Sequence, residues 1–202
     1  GEENFEKAHE LADKALTLAP NTPPNLMLKA RAFMQEAQTR DVIKSIFDVI
    51  PRFKNYKNIH KAGDLLNQAM GILKRNVNVY LENQIKHDLS IYMLWLRRVD
   101  EFKIIRESID LSKLDHKQQS QIIINDVIIE IQKRNFEIAY SKLKDSKNWE
   151  QLSYKEKARI AHILLLRGAP QQSRDIFLTI ESEAEQKEDM WFYIDMSLNE
   201  VL

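Results

Sequence analysis

The residues of this 202-residue chain that could hold a metal ion or transfer protons are its five histidines and its carboxylates, because the sequence contains no cysteine. His9 is followed by Glu10 but lacks the second histidine, four residues on, that a zinc-binding helix of this kind requires. His87, His116 and His162 have no ligand-type residue three or four positions further along. The spacing therefore predicts no metal site and surface or interhelical roles for the histidines.

The sequence also lacks the patterns of nucleophilic and nucleotide-dependent enzymes. Its four glycines, Gly1, Gly63, Gly71 and Gly168, are isolated, so none builds a phosphate-binding loop. A Gly-x-Ser-x-Gly turn is absent from the sequence. We therefore expect no enzymatic activity, no catalytic residue and no cofactor.

The composition indicates which secondary structure and which kinds of partner are expected. Only 4 Gly and 5 Pro leave little material for tight turns, which favours an all-α fold. The 30 basic and 30 acidic residues balance, so no overall field attracts nucleic acid. No apolar run approaches the ~20 residues of a membrane-spanning helix, which predicts no membrane insertion. No signal peptide is visible, and a cytoplasmic location is favoured.

Apolar residues spaced three and four apart predict about eleven helices. The first covers residues 3–19, with Phe5, Ala8 and Ala12 on one face, and it ends at Pro20. A third is expected from Thr39 or Asp41 to Ile50. The others are predicted at 24–37, 57–75, 79–98, 100–111, 117–133, 136–144, 153–167, 171–187 and 189–201, with Trp149 in a linker.

A spacing of 34 residues recurs along the chain. It separates Phe102 from Phe136 and Phe136 from Pro170, each near the start of a predicted helix, and it also separates Phe5 from Thr39. Small or apolar residues follow three positions after each of them: Ala8, Val42, Ile105, Ala139 and Ser173. A fixed period of this length is typical of stacked helix pairs.

The stretch from residue 5 to 33 resembles the tetratricopeptide repeat, a helix pair of about 34 residues. The second-helix pattern is Phe5, Ala8, Ala12, Ala15, Leu16 and Pro20, and the next first helix supplies Leu26, Ala30 and Phe33. Lys29 departs from the leucine that is usual in the family. The resemblance implies one right-handed superhelical solenoid over residues 1–202, with N-terminal repeats at 1–51, irregular repeats at 52–99 and C-terminal repeats at 100–202.

The resemblance also implies function. Such arrays act as non-catalytic scaffolds that bind a peptide or protein on the concave face, here as a module of a larger signalling or assembly protein. One variant of the family holds a peptide carboxylate, and its later positions match Asn125, Lys155 and Arg159; its earlier positions fall on Ser90 and Leu94, which do not match. Together with His162, these three matching residues form the predicted partner-binding set.

Two alternatives remain open. The first element looks like a second helix without its partner, so we expect the chain to be a fragment whose face at Phe5, Ala8 and Ala12 is partly uncovered. A second copy could cover that face and make the chain a homodimerisation spacer. A nucleic-acid adaptor is disfavoured, because no aromatic residues interleave the basic clusters, which are Lys74-Arg75, Arg97-Arg98, Lys133-Arg134 and Arg167.

Overall fold

The computed structural model describes residues 2–43, 48–75 and 78–186, and most of these are helical. The predicted all-α class is therefore confirmed. The chain divides into two compact units, unit 1 (Gly1–Asp115) and unit 2 (His116–Leu202).

Unit 1 is built from successive helices that pack on one another. They are α1 (Glu2–Leu18), α2 (Pro23–Arg40), α3 (Lys57–Leu73), α4 (Val79–Trp95) and α5 (Val99–Glu107), followed by a 3-10 helix (Leu111–Lys113). Each α-helix contacts the next along the chain, and α2 also contacts α4. Their shared core is formed by buried apolar side chains, which include Leu26, Ala30, Met34, Ile59, Ala62, Leu66, Ile85 and Leu89.

The helix predicted from Thr39 or Asp41 to Ile50 is wrong. Helix α2 continues through Arg40, and β1 (Val42–Ile43) then pairs antiparallel with β2 (Arg52–Phe53). Phe53 is buried, and its ring centroid lies 5.0 Å from that of Trp95. This packing, together with the extended-chain preference of Val and Ile, favours strands over the helix that the apolar spacing predicts. Thr39 therefore lies within α2 and does not open a second helix.

The apolar face of α1 is only partly uncovered. Ala12 is fully buried, which corrects the expectation for this residue, whereas Phe5 is half-buried and Ala8 is exposed. Leu11 and Leu18 are 54% and 87% exposed. The exposed apolar stripe of α1 thus lies at Ala8, Leu11 and Leu18.

Unit 2 begins with an isoleucine-rich helix. Its elements are α6 (His116–Gln132), α7 (Phe136–Lys144), α8 (Ser146–Gln151), α9 (Tyr154–Leu166) and α10 (Pro170–Gln186). Helix α6 contacts α7, α8 and α9, and α9 packs on α10. The short helix α8 replaces the linker predicted around Trp149. The helix predicted at 189–201 lies outside the described residues, within which ten α-helices are found.

Local capping explains where α9 begins. The Ser153 hydroxyl accepts a hydrogen bond from the Glu156 amide, and the Glu156 carboxylate accepts one from the Ser153 amide. This reciprocal arrangement satisfies two amides that the first helical turn leaves without partners. The capping box predicted from the spacing of Ser153 and Glu156 is confirmed.

The same left-handed turn ends α4, α6 and α9. One residue of each turn has a positive φ, and the amide three positions after the last helical residue bonds to a carbonyl five residues back. The φ values are +61° at Arg97, +62° at Arg134 and +87° at Gly168. The closing bonds, each 2.9 Å long, run from Arg98 N to Met93 O, from Asn135 N to Glu130 O and from Ala169 N to Leu164 O.

Within the described part of the chain, no helix is long and apolar enough to cross a membrane, which agrees with the prediction of no membrane insertion.

Helices α3 and α4 approach closely at Gly63. A Cβ atom at this position would lie 2.6 Å from both Cε1 and the hydroxyl oxygen of Tyr92. Burial raises the pKa of the Tyr92 phenol, and the Asp64 carboxylate raises it further while Arg98 opposes both. The neutral phenol is therefore packed directly on the backbone of α3.

We predict that Gly63→Ala lowers the free energy of unfolding by about 1–3 kcal/mol, because the added methyl group must displace the Tyr92 ring. Urea unfolding followed by circular dichroism measures the change. Gly71→Ala is the matched control in the same helix: it is exposed and has no atom within 4 Å of the added carbon. It should leave stability unchanged or raise it by up to about 1 kcal/mol. Equal effects of the two substitutions would contradict the proposed steric role of Gly63.

Candidate functional site

Two of the predicted partner-binding residues lie on the exposed face of α9. Lys155 and Arg159 are both exposed and are separated by four residues, so they project from the same side of the helix. The Lys155 ammonium lies 5.8 Å from the centroid of the Tyr154 ring. Arg159 makes no hydrogen bond or ion pair with any residue that the structure describes. The Arg159 guanidinium is thus available to a partner.

The other two predicted residues are less accessible. Asn125, on α6, is only 4% exposed, and its Oδ1 accepts a hydrogen bond from Gln121 at 2.8 Å. Its Nδ2 is buried without a hydrogen-bond partner among the described residues. His162 is half-buried on α9. The Asn125 side chain is therefore buried within unit 2, although its helix, α6, contacts α9.

The positions that failed to match the carboxylate-binding pattern are buried as well. Ser90 and Leu94 lie on α4 and are 0% and 4% exposed, and the Ser90 hydroxyl donates to its own helix, to His87 O at 2.7 Å. Neither side chain is displayed on the surface of unit 1. The correspondence with the family's peptide-binding variant is thus confined to α9.

The basic clusters near helix ends have local partners. Arg97 donates to Ile50 O at 3.2 Å, and Arg98 bonds to Glu101 at 2.7 Å, which lowers the pKa of the Glu101 carboxyl. Arg97 and Arg134 occupy the left-handed turns after α4 and α6, where positive charge also complements the helix dipole. These contacts give Arg97 and Arg98 partners within the fold.

Glu130, near the end of α6, pairs with basic side chains on both sides of the turn that follows α6. Its carboxylate accepts hydrogen bonds from Asn135 at 3.0 Å and from Lys142 at 3.2 Å, and Lys133 lies 4.0 Å away. Burial disfavours the charged form. The hydrogen bonds from Asn135 and Lys142, and the charges of Lys142 and Lys133, outweigh burial and lower the pKa of Glu130. The ion pairs join α6 to α7.

A cleft of about 550 Å³ runs along α1 beside the C-terminal part of α2. Its volume is in the range of ordinary ligand sites. The side chains that line it are mostly charged, with one aromatic ring. From α1 they are Phe5, Glu6, His9, Glu10, Asp13, Lys14 and Thr17, and from α2 they are Glu36 and Arg40.

Ion pairs fix one side of this cleft. Glu36 accepts from His9 at 3.0 Å, from Arg40 at 3.1 Å and from Asn58 of α3 at 3.2 Å. The Arg40 guanidinium also lies 5.3 Å from the centroid of the Phe5 ring. Because Glu36 is held by three other side chains, this side of the cleft is preorganised.

The opposite side of the cleft is more loosely paired. Glu10 bonds to Lys14 at 2.6 Å, but both side chains are more than 60% exposed, and such pairs contribute little. Glu6 is exposed and makes no hydrogen bond or ion pair with any described residue. Glu6 and Glu10 are therefore the carboxylates open to a ligand.

A buried polar network crosses unit 1 between α2 and α4. The Asp88 carboxylate accepts from Arg31 Nε at 2.6 Å and lies 3.0 Å from His87 Nδ1. Its side chain is only 7% exposed, as is that of His87. His87 Nε2 is buried with no hydrogen-bond partner in the described residues. This network joins two helices that are not consecutive.

Within residues 2–43, 48–75 and 78–186, no group of three or more His, Asp or Glu side chains is placed to hold a metal ion. Comparisons with protein-family models, with curated proteins and with solved structures give no match.

Sequence reasoning missed the cleft beside α1. The apolar spacing predicts that Phe5 lies on the packed face of α1, and it predicts no cleft. The spacing of the polar residues carries a signal, since Glu6, Glu10, Asp13 and Thr17 recur at intervals of three or four and must share one face. The contribution of Glu36 and Arg40 depends on how α2 packs, which that spacing does not specify.

We predict that the stability advantage of the wild type over Glu130→Gln shrinks in acid. Because the folded-state pKa is lowered, the contribution of Glu130 is present above the unfolded-state pKa of about 4.3 and is lost as pH falls through the lower folded-state value. Urea unfolding of both proteins at several pH values between neutrality and pH 3 measures it.

The matched control for this prediction is Glu150→Gln. Glu150 is exposed on α8 and makes no hydrogen bond or ion pair with the described residues, so its substitution should produce no acid-dependent difference from the wild type. A pH-independent difference for Glu130→Gln, parallel to that of Glu150→Gln, would contradict the role assigned to the ion pairs.

Proposed function

We propose that this chain is a non-catalytic helical-repeat module that binds a peptide or protein partner, and that α9 is one of its contact surfaces. The observation that carries the proposal is the exposed Arg159 guanidinium, which no described residue pairs, one helical turn from the exposed Lys155. A folded helix with a fixed N-terminal cap presents both charges in a defined geometry.

The repetition of one turn supports a repeat architecture of the tetratricopeptide type. Arg97, Arg134 and Gly168 occupy equivalent left-handed positions, and the last two are 34 residues apart. The contact between α2 and α4 in unit 1 is that of alternate helices within stacked pairs, and in unit 2 α6 contacts α9 across α7 and the short helix α8. Stacked pairs present alternate helices on one face, and such faces serve as binding surfaces.

The chemistry of α9 favours an anionic group on the partner. Guanidinium groups bind carboxylates through paired hydrogen bonds. A nearby ammonium adds positive charge and does not require a particular orientation of the carboxylate. A peptide C-terminus offers a carboxylate of the required shape. We therefore assign Lys155 and Arg159 to a peptide carboxylate, with His162 on the same helix as an adjacent contact.

The test uses a pool of random octapeptides immobilised by their N-termini with free C-terminal carboxylates, and the same pool as C-terminal amides. We predict that the protein is retained by the first pool and that Arg159→Ala reduces retention by about tenfold, the value of one charge-assisted hydrogen bond. Surface plasmon resonance measures retention.

Lys147→Ala is the matched control for this test, because it removes an exposed positive charge from α8 in the same unit. It should leave retention unchanged. Equal retention by the amide pool, or an equal loss for Lys147→Ala, would contradict the assignment.

A second candidate function is a homodimerisation spacer, and the exposure of Leu11 and Leu18 favours it. These leucines are seven residues apart, so they lie on the same side of α1. If a second copy covers them, sedimentation equilibrium should show a dimer for the wild type and a monomer for Leu11→Glu/Leu18→Glu. Leu28→Glu, at an exposed position of α2, should keep the dimer. A monomeric wild type at all concentrations would contradict this function.

A further inference from the structure

We infer that the cleft between α1 and α2 is a docking site for an extended basic peptide with an Arg-x-Arg pattern, whose two guanidinium groups pair with Glu6 and Glu10. This site lies in unit 1 and does not depend on the α9 surface. Its partner chemistry is opposite in sign to that of α9.

The charge of the lining selects a cation. Four carboxylates, those of Glu6, Glu10, Asp13 and Glu36, line the cleft with two permanent cations, Lys14 and Arg40, and a third cation, Lys29, pairs with Asp13. The chain as a whole has a formal net charge of zero, so this excess of negative charge is local. Nucleic acid and acidic peptides are repelled by such a surface, whereas a basic peptide is attracted.

The ion pairs and hydrogen bonds within the cleft determine which carboxylates can bind the ligand. Asp13 is bound by Lys29 at 2.8 Å, and Glu36 by His9, Arg40 and Asn58, so both are occupied within the fold. Glu6 has no partner among the described residues, and the exposed Lys14–Glu10 pair can open at little cost. The ligand therefore pairs with Glu6 and Glu10.

The geometry of the two carboxylates selects the spacing of the ligand. Glu6 and Glu10 are one turn apart on α1, a rise of about 6 Å along the helix axis. In an extended peptide, residues i and i+2 lie on the same side and are about 7 Å apart. Two basic side chains separated by one residue thus match the two carboxylates, whereas adjacent basic residues point to opposite sides of the peptide.

Bidentate pairing with the carboxylates of the cleft favours arginine over lysine. Phe5 is half-buried, and the guanidinium of Arg40 lies over its ring, 5.3 Å from the centroid. A planar guanidinium stacks on such groups and binds a carboxylate through two donors, which an ammonium does not. Arg40 already covers the Phe5 ring, so an arginine of the ligand pairs with the Glu6 carboxylate through two donors.

Fluorescence anisotropy tests the site with three labelled probes. The first is Gly-Ser-Arg-Gly-Arg-Gly-Ser, the second has both arginines replaced by glutamate, and the third carries the two arginines next to each other. We expect the first probe to bind most tightly and the second to bind least. Glu6→Gln/Glu10→Gln should weaken binding of the first probe about threefold to tenfold, the range for two exposed ion pairs.

The matched control is Asp64→Asn/Glu107→Gln, which removes the same charge from exposed positions of unit 1 away from the cleft. It should change the affinity by less than about twofold at physiological salt, because screening limits the reach of distant charges. Far-ultraviolet circular dichroism verifies that both double variants keep the helical content of the wild type.

Three results would overturn the inference. One is an equal loss of affinity in the cleft variant and the control variant, which would indicate a non-specific field. Another is binding of the glutamate probe as tightly as the first probe. The third is self-association that disappears in Glu6→Gln/Glu10→Gln, which would show that a second copy occupies the cleft. Each is independent of the Arg159 experiment, so the two proposals can fail separately.

Discussion

Helix α4 packs against α2, α3 and α5, so most of its side chains, including polar ones, must find partners inside unit 1. Asp88 is the most demanding of these, because a buried carboxylate without a partner destabilises the folded state strongly. Arg31 of α2 supplies that partner at 2.6 Å. On the side of α3, Gly63 leaves room for the Tyr92 ring. The arrangement of the other helices in unit 1 depends on these two contacts of α4.

The charged residues fall into two groups with different consequences. Glu130 and Glu36 are paired within the fold and hold neighbouring helices together. Glu6 and Arg159 are exposed, and neither is paired by a described residue. The second group forms the two surfaces that we propose as binding sites, with negative charge in the cleft of unit 1 and positive charge on α9 of unit 2. A chain of zero net charge can thus still present two surfaces of opposite sign.

The resemblance to the tetratricopeptide repeat, rather than local spacing, selected Lys155 and Arg159 as partner-binding residues. Both lie exposed on α9. Asn125 was expected on the same surface, but it lies in a helix rich in isoleucine that is covered on several sides. The cleft beside α1 could be predicted only in part, since its other side comes from α2.

What the sequence by itself determined is the local structure. Apolar spacing, Pro20, Gly168 and the Ser153–Glu156 capping box determine where helices begin and end, because these interactions span at most a few residues. Tertiary structure alone decided that Val42–Ile43 form a strand and that Arg31 pairs with Asp88, 57 residues further along the chain. The physical reason is that the pairing of Val42 with Phe53 and of Arg31 with Asp88 joins residues that are not neighbours in sequence, so packing and charge pairing stabilise both features.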